Sequence, residues 1–198
     1  MKSLYLATQN AHKVEELSAL LGDYFQIHSI SELAITEDIP ETGVTLAENS
    51  MQKARYVAER FGVTCLADDS GLEVLSLGGA PGVFSARYAG EPKNDQANCA
   101  KLLTEMQGMV NRQARFVTVL TFHDAGNFVQ FEGEVLGEIV SEACGDQGFG
   151  YDPLFVPVGE HRTFAQMTMA EKNKIAHRGR ALEKFKQFVD ETLLFHDE

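Results

Sequence analysis

The chain has 198 residues, 44% of them hydrophobic and 23% charged, which is enough for one domain with a real core and gives no sign of disorder. A formal net charge of -12 opposes broad electrostatic binding to nucleic acid or to an anionic membrane surface. An anionic small molecule remains compatible, provided a few converging Lys and Arg side chains and a divalent metal meet it.

Cys65, Cys99 and Cys144 are odd in number and show no C-x-x-C spacing, so neither a disulfide framework nor a zinc site is expected. The apolar start Leu4-Tyr5-Leu6-Ala7 is too short for a signal peptide, and no stretch approaches the roughly 20 apolar residues of a membrane span. A cytoplasmic protein is expected.

In chain order, Ser3 to Ala7 reads as a short buried strand, and Val14, Leu17, Leu20 and Leu21 give one apolar helix face over Ala11 to Leu21. Between them, Thr8-Gln9-Asn10 is a strand-to-helix loop with Asn10 as a natural N-cap. Phe25 to Ile30 is a second strand, followed by a polar loop to Gly43. Thr45 and Glu48 have capping-box spacing and open a helix that closes at Gly62.

Thr64 to Ala67 and Leu72 to Leu77 read as strands flanking Asp68-Asp69-Ser70-Gly71. Asn94 to Met106 is helical, and Arg115 to His123 with Asn127 to Val140 form a β-hairpin around Asp124-Ala125-Gly126. A glycine-rich loop spans Gly145 to Pro153. Thr168 and Glu171 repeat the capping-box spacing, and a final helix runs from about Arg178 to Phe195. Strands alternate with helices and a hairpin enters midway, which predicts a mixed sheet flanked by helices, without a domain linker.

Several clusters could carry chemistry. Asp68 and Asp69 repel unless a cation sits between them or one is protonated, so they suggest a metal site or a pair with shifted pKa values; the same four residues also suit a turn. Thr8, Asn10 and Lys13 surround a helix start, where an anion is favoured, or else form an N-cap beside a solvated lysine. Glu48 has its capping-box duty, which leaves Glu41 as the better metal ligand to stand with Asp69. In Gly148-Phe149-Gly150-Tyr151-Asp152-Pro153, an aromatic face suits a base and Asp152 a ribose hydroxyl or a base N–H; the alternative is a tight loop whose rings plug the core. Lys172, His177 and Arg178 could donate to a keto base or to phosphates. Ser85-Ala86-Arg87, after the Gly78-Gly79-Ala80-Pro81-Gly82 loop, could add a further anion contact.

Taken in order, Ala7-Thr8-Gln9-Asn10 with Lys13, Glu41-Thr42-Gly43 with Glu48-Asn49 and Lys53, Ala67 to Gly71, Gly79 to Gly82 with Ser85-Ala86-Arg87, Phe149 to Pro153, and Lys172 with His177-Arg178 resemble the inosine/xanthosine triphosphate pyrophosphatase family. These stretches cover residues 7–178, and their order favours the chemical reading of Asp68-Asp69 over the turn.

The resemblance implies a single domain over residues 1–198 with a two-lobed α/β fold, a long mixed sheet and a central cleft, assembled as a homodimer. It implies hydrolysis of dITP, ITP and XTP to the monophosphate and pyrophosphate with Mg²⁺. Carried over by position, Thr8, Gln9, Asn10, Ala11, His12 and Lys13 hold the triphosphate. Glu41 and Asp69 serve the metal, Asp69 takes a proton from water, and Asp68 and Lys53 support it. Ser70, Phe149, Gly150, Tyr151, Asp152, Lys172, His177 and Arg178 contact the nucleotide. The chain departs from the family's common pattern at Gln9, His12 and Ala176. Two other readings fit the same residues: a pyrophosphatase for other modified nucleotides, and a nucleotide-binding module without turnover.

Overall fold

A computed structural model describes residues 1–35, 37 and 39–192. Strand β1 (Lys2–Leu6) leads into helix α1 (Ala11–Leu21), whose first turn is capped by the Asn10 side chain accepting from the backbone N–H of His12 and Lys13. Strand β2 (Phe25–Ser29) follows, and then a long connection to α2 (Leu46–Phe61). The capping box expected at Thr45 and Glu48 is formed, and Gly62 at φ 64° ends α2 in the left-handed conformation that glycine tolerates best.

The acidic run is not a turn between two strands. Strand β3 (Cys65–Val74) passes straight through Asp68-Asp69-Ser70-Gly71, so the two strands expected there are one, and Leu75–Leu77 forms a 3-10 turn instead. Eight of its ten residues are buried. Asp68 and Asp69 stay in the ladder because lysines neutralise them, which removes the reason for the chain to turn out to water.

Helix α3 (Asp95–Glu105) precedes β4 (Gln113–Asp124) and β5 (Asn127–Ile139). The hairpin between them turns on Ala125 and Gly126 alone, both at positive φ (46° and 85°), the backbone twist that a two-residue hairpin turn needs. Strand β6 (Phe155–Pro157), too short to be legible in the sequence, pairs antiparallel with the end of β5, with Gly137 opposite Pro157. Helices α4 (Met169–Ile175) and α5 (His177–Thr192) complete the described chain; the expected extension of the last helix through residues 193–195 lies outside the described residues.

The six strands run in the order β2-β1-β3-β4-β5-β6, with β1 parallel to both β2 and β3, so the expected mixed sheet flanked by helices is present. Two compact units share these strands. The first comprises Met1–Asp69, Val119–Glu132 and Lys184–Glu198, and the second Ser70–Thr118 and Gly133–Glu183.

In the first unit, Ala7, Ile30, Ala54, Val57, Cys65 and Ala67 pack into one apolar cluster. Phe185 adds a second, with ring centroids 5.0 Å from Phe122, 5.4 Å from Phe131 and 5.9 Å from Phe25. The second unit packs Leu72, Leu102, Met106, Phe116, Tyr151, Leu154, Phe155 and Phe164 together. Each such side chain contributes about 1.5–3 kcal/mol of transfer free energy on full burial. Among the described residues no helix is long and apolar enough to cross a membrane.

Candidate active site

In the first unit, consecutive residues of β3 meet lysines from α1 and α2. The Asp68 side chain is 1% exposed and forms an ion pair with Lys13, one turn into α1. Lys53, on the third turn of α2 and 5% exposed, donates to Asp69 Oδ1 at 2.8 Å and to Glu41 Oε1 at 2.7 Å. The cation that two adjacent acids require is therefore an ammonium in each case. Lys13, expected on a phosphate, is placed on Asp68.

Burial pushes the Asp69 carboxyl above its ordinary pKa, against the pull of Lys53 and Lys13. Burial also works against charge on Lys53, but Asp69 and Glu41 more than offset it and hold the ammonium protonated. A buried carboxylate of raised basicity beside a fixed cation is the arrangement that a general base needs.

The segment that carries Glu41 is clamped to α2. Asn49 Oδ1 accepts from Gly43 N at 2.7 Å, and Gln52 Oε1 accepts from Thr42 N at 2.9 Å while its Nε2 donates to Thr42 Oγ1 at 3.0 Å. Glu48 does what the capping box predicts, with Oε2 accepting from Val44 N and Thr45 N at 2.7 and 3.2 Å. In the phosphate-loop candidate, Thr8 Oγ1 accepts from Asn10 N at 3.2 Å, and Gln9 Nε2 donates to the Glu37 carbonyl at 3.1 Å; His12 is exposed. Because Asn10 already takes the N–H groups of His12 and Lys13, these donors serve the cap.

The second unit gathers the rest. Asp152, 2% exposed, accepts from Lys172 Nζ at 2.7 Å and from Phe149 N at 3.0 Å, both at Oδ2. Gly148 at φ 74° lies so close to that carboxylate that a Cβ there would collide with it. Lys172 Nζ stands 4.7 Å from the centre of the Phe149 ring, with Arg178 Cζ at 5.8 Å, so the aromatic ring is bordered by two cations. Arg178 also donates to Ser70 Oγ at 3.1 Å. The His177 ring stacks on Phe116 at 4.8 Å with an interplanar angle of 11°. Tyr151 is 4% exposed and packs in the core, so of the loop's two aromatic residues only Phe149 borders the cations.

Three contributors were not singled out from sequence. Thr118, fully buried on β4, bonds Ser70 Oγ at 2.7 Å; Phe116, two residues earlier, carries the His177 ring; Gln52 clamps Thr42. The two-residue spacing of Phe116 and Thr118 places them on one face of β4, which is the signal that could have found them.

Whether a metal fits can be tested on the acids. Among the described residues, no group of three His, Cys, Asp or Glu side chains is placed to hold a metal ion. Asp69 Oδ2, however, is buried and makes no hydrogen bond, although its partner oxygen is engaged. With Glu41 on the same lysine, this is a two-carboxylate donor set of the kind Mg²⁺ uses when substrate phosphates and water complete its shell. The residues fit such an ion.

Within a mixed α/β fold, one unit sets paired acids against lysines, and the other borders an aromatic ring with two cations. The chain belongs to the Ham1 family, whose model matches residues 4–188. It is 47% identical over 186 residues to the dITP/XTP pyrophosphatase of Christiangramia forsetii, covering 94% of this chain and 98% of that protein. The Bacillus subtilis dITP/XTP pyrophosphatase is 44% identical over 194 residues, covering 96% and 98%. Among solved structures, a HAM1 protein from Coxiella burnetii matches with a TM-score of 0.90 and 38% identity, covering 97% of this chain and all of that one.

Proposed function

We propose that the protein hydrolyses deaminated purine nucleoside triphosphates, dITP, ITP and XTP, to the nucleoside monophosphate and pyrophosphate, and so clears them from a cytoplasmic nucleotide pool. The observation that carries this reading is the buried Asp69 carboxylate, raised in pKa, with one oxygen on Lys53 and the other unbonded. A module that only bound a polyanion would gain nothing from such a group. The named activity of the relatives agrees with it.

In this reading Asp69 accepts a proton from the attacking water, and Lys13 and Lys53 balance charge on the phosphates. Glu41 and Asp69 would hold Mg²⁺, which supplies charge neutralisation and orientation of the phosphates when bound. Asp68 keeps Lys13 in place. Thr8, Gln9, Asn10, Ala11 and His12 border the phosphate loop, and Ser70 contacts the nucleotide. Phe149 stacks on the base, and Lys172 and Arg178 donate toward the six-position oxygen that hypoxanthine and xanthine carry and adenine lacks. Asp152, Gly150, Tyr151 and His177 shape that pocket.

The same reading includes a homodimer. In the second unit, Leu75, Leu136 and Val158 are 63%, 55% and 75% exposed and line one depression of about 500 Å³ that also carries Glu73, Arg115 and Glu138. An exposed apolar patch of this kind is the surface a two-fold contact would bury.

The reading is tested by incubating the protein with ITP, dITP, XTP, dGTP, dATP and dTTP, with and without Mg²⁺, and identifying the products. Monophosphate and pyrophosphate from the first three alone, and only with metal, is the expected result. Absence of turnover with all six overturns it. Asp69→Asn is expected to keep nucleotide binding and lose a factor of about 10²–10⁴ in turnover.

A further inference from the structure

Ser85 sits in the 3-10 turn Gly82–Arg87 and is buried, at 8% exposure. Its sequence context suggested an anion contact, but its polar atoms are used internally. The hydroxyl accepts from Leu72 N at 2.9 Å and donates to the Gly82 carbonyl at 2.6 Å. The Ser85 carbonyl accepts from the Tyr151 hydroxyl at 2.7 Å. All of these residues lie in the second unit.

The two ends of Ser85 thus reach two functional segments. Leu72 stands two residues after Ser70, which accepts from Arg178. Tyr151 stands inside the loop that presents Phe149 and Asp152. The turn also rests directly on β3: a Cβ on Gly71 would lie 2.5 Å from the Gly82 carbonyl oxygen, so only glycine allows the contact. The loop itself has little stiffness of its own, since Gly148 and Gly150 hold φ of 74° and 62°. Its position is set by ties from outside. These are the Tyr151–Ser85 bond, Gly150 N donating to Asp95 Oδ2 at 2.7 Å, the Cys99 thiol donating to the Gly150 carbonyl at 3.4 Å, and the Lys172–Asp152 pair.

We propose that Ser85 and Tyr151 are positioning residues, a buried brace that sets the spacing between Ser70 and the Phe149–Asp152 loop and thereby selects the base. The proposal rests on the functional reading above, in which this loop holds the purine. Guanine alone carries an amino group at position two, where hypoxanthine has hydrogen and xanthine an oxygen of similar size, so its rejection depends on the pocket's polar groups being held where that amino group meets no acceptor. A displaced loop brings an acceptor within reach of it. Tyr151 acts through the loop and the strand; the ring stays packed in the core, and only its hydroxyl carries the tie.

The test is Tyr151→Phe, which keeps the ring and removes the bond, with Ser85→Ala as a second variant that cuts the other end of the brace. For each, kcat and KM are measured with ITP and with GTP, together with the Mg²⁺ activation curve and the melting midpoint. The expected result is a fall of about tenfold in the ratio of kcat/KM for ITP to that for GTP, with an unchanged Mg²⁺ midpoint. A purely structural bond would lower the melting midpoint and leave the ratio alone. A ratio within twofold of the wild type in folded Tyr151→Phe overturns the proposal, as does failure of both variants to fold. A wild-type protein that discriminates while the variants discriminate equally well sinks the brace and spares the functional reading. A wild type that hydrolyses neither nucleotide sinks both.

Discussion

Lys53 Nζ lies 2.8 Å from Asp69 Oδ1, and this one contact opposes the effect of burial on the carboxylate and holds one of its oxygens. Burial pushes the Asp69 pKa up, the ammonium offsets part of that rise, and the second carboxylate oxygen is left without a hydrogen bond. Lys53→Met removes the largest opposing charge, so the Asp69 pKa is expected to rise further above its ordinary value. Carbon-13 titration of the Asp69 carboxyl in metal-free protein reads this directly. Turnover at pH 7 should fall about 10²-fold or more as the base loses its ammonium partner and its orientation. An Asp69 midpoint unchanged or lowered in the variant would show that Lys53 does not govern it.

The raised pKa of Asp69 also has a sign in stability. An acid titrating higher in the folded state than its unfolded value of about 3.9 makes the native protein bind more protons across that interval, so stability falls as pH rises through it. Asp69→Asn has no such titration. In metal-free protein, its stability relative to the wild type is expected to increase with pH across the interval and then level off above the folded pKa. Urea unfolding of both proteins at a series of pH values measures the difference; a difference that declines with pH contradicts the assignment.

Asp152 and Lys172 form a pair in which both partners are almost wholly buried. Removing one leaves an uncompensated charge, at a cost of about 3–5 kcal/mol, and each kcal/mol is roughly 2–4 °C in a domain of this size. Asp152→Asn and Lys172→Met should each lower the melting midpoint accordingly. The double variant should recover most of the loss without recovering nucleotide affinity, because Lys172 also borders Phe149. Additive losses in the double variant would mean that the two side chains act separately.

Much of this was legible in the chain because caps and periodicity act locally: Asn10, Thr45 with Glu48, and Thr168 with Glu171 all cap the helices they were expected to cap. The acidic run misled for a physical reason. Asp-Asp-Ser-Gly is turn chemistry when solvated, and nothing nearby in sequence says that Lys13 and Lys53, 55 and 16 positions away from Asp68 and Asp69, neutralise it. Tyr151 and Ser85 were likewise singled out by motif, but motif position cannot tell a side chain that meets a ligand from one that holds the loop behind it.

Gly133 illustrates a contact of that long-range kind. A Cβ at this position in β5 would collide with the His177 carbonyl oxygen and Ala181 N, the backbone at the start of α5, and backbone cannot swing aside as a side chain can. Gly133→Ala is expected to cost about 1–3 kcal/mol and to displace His177 and Arg178 together. Chemical unfolding gives the first quantity. The loss of nucleotide affinity at a temperature where the variant is fully folded gives the second, and wild-type affinity there would show that α5 can retreat without moving its first residues.

The exposed face around Leu75, Leu136 and Val158 makes the dimer testable in the same direct way. A stable protein–protein interface buries at least about 1,200 Å² in total, and apolar side chains at its centre supply most of the affinity. Leu136→Asp places a charge there that would lose its hydration on association, a cost the contact could not recover. Sedimentation should show the wild type at twice the chain mass of 21.8 kDa and the variant at the chain mass, with the fold intact by circular dichroism. A wild type that sediments as a single chain at micromolar concentration removes the dimer from the reading; a variant that remains dimeric moves the interface to another face.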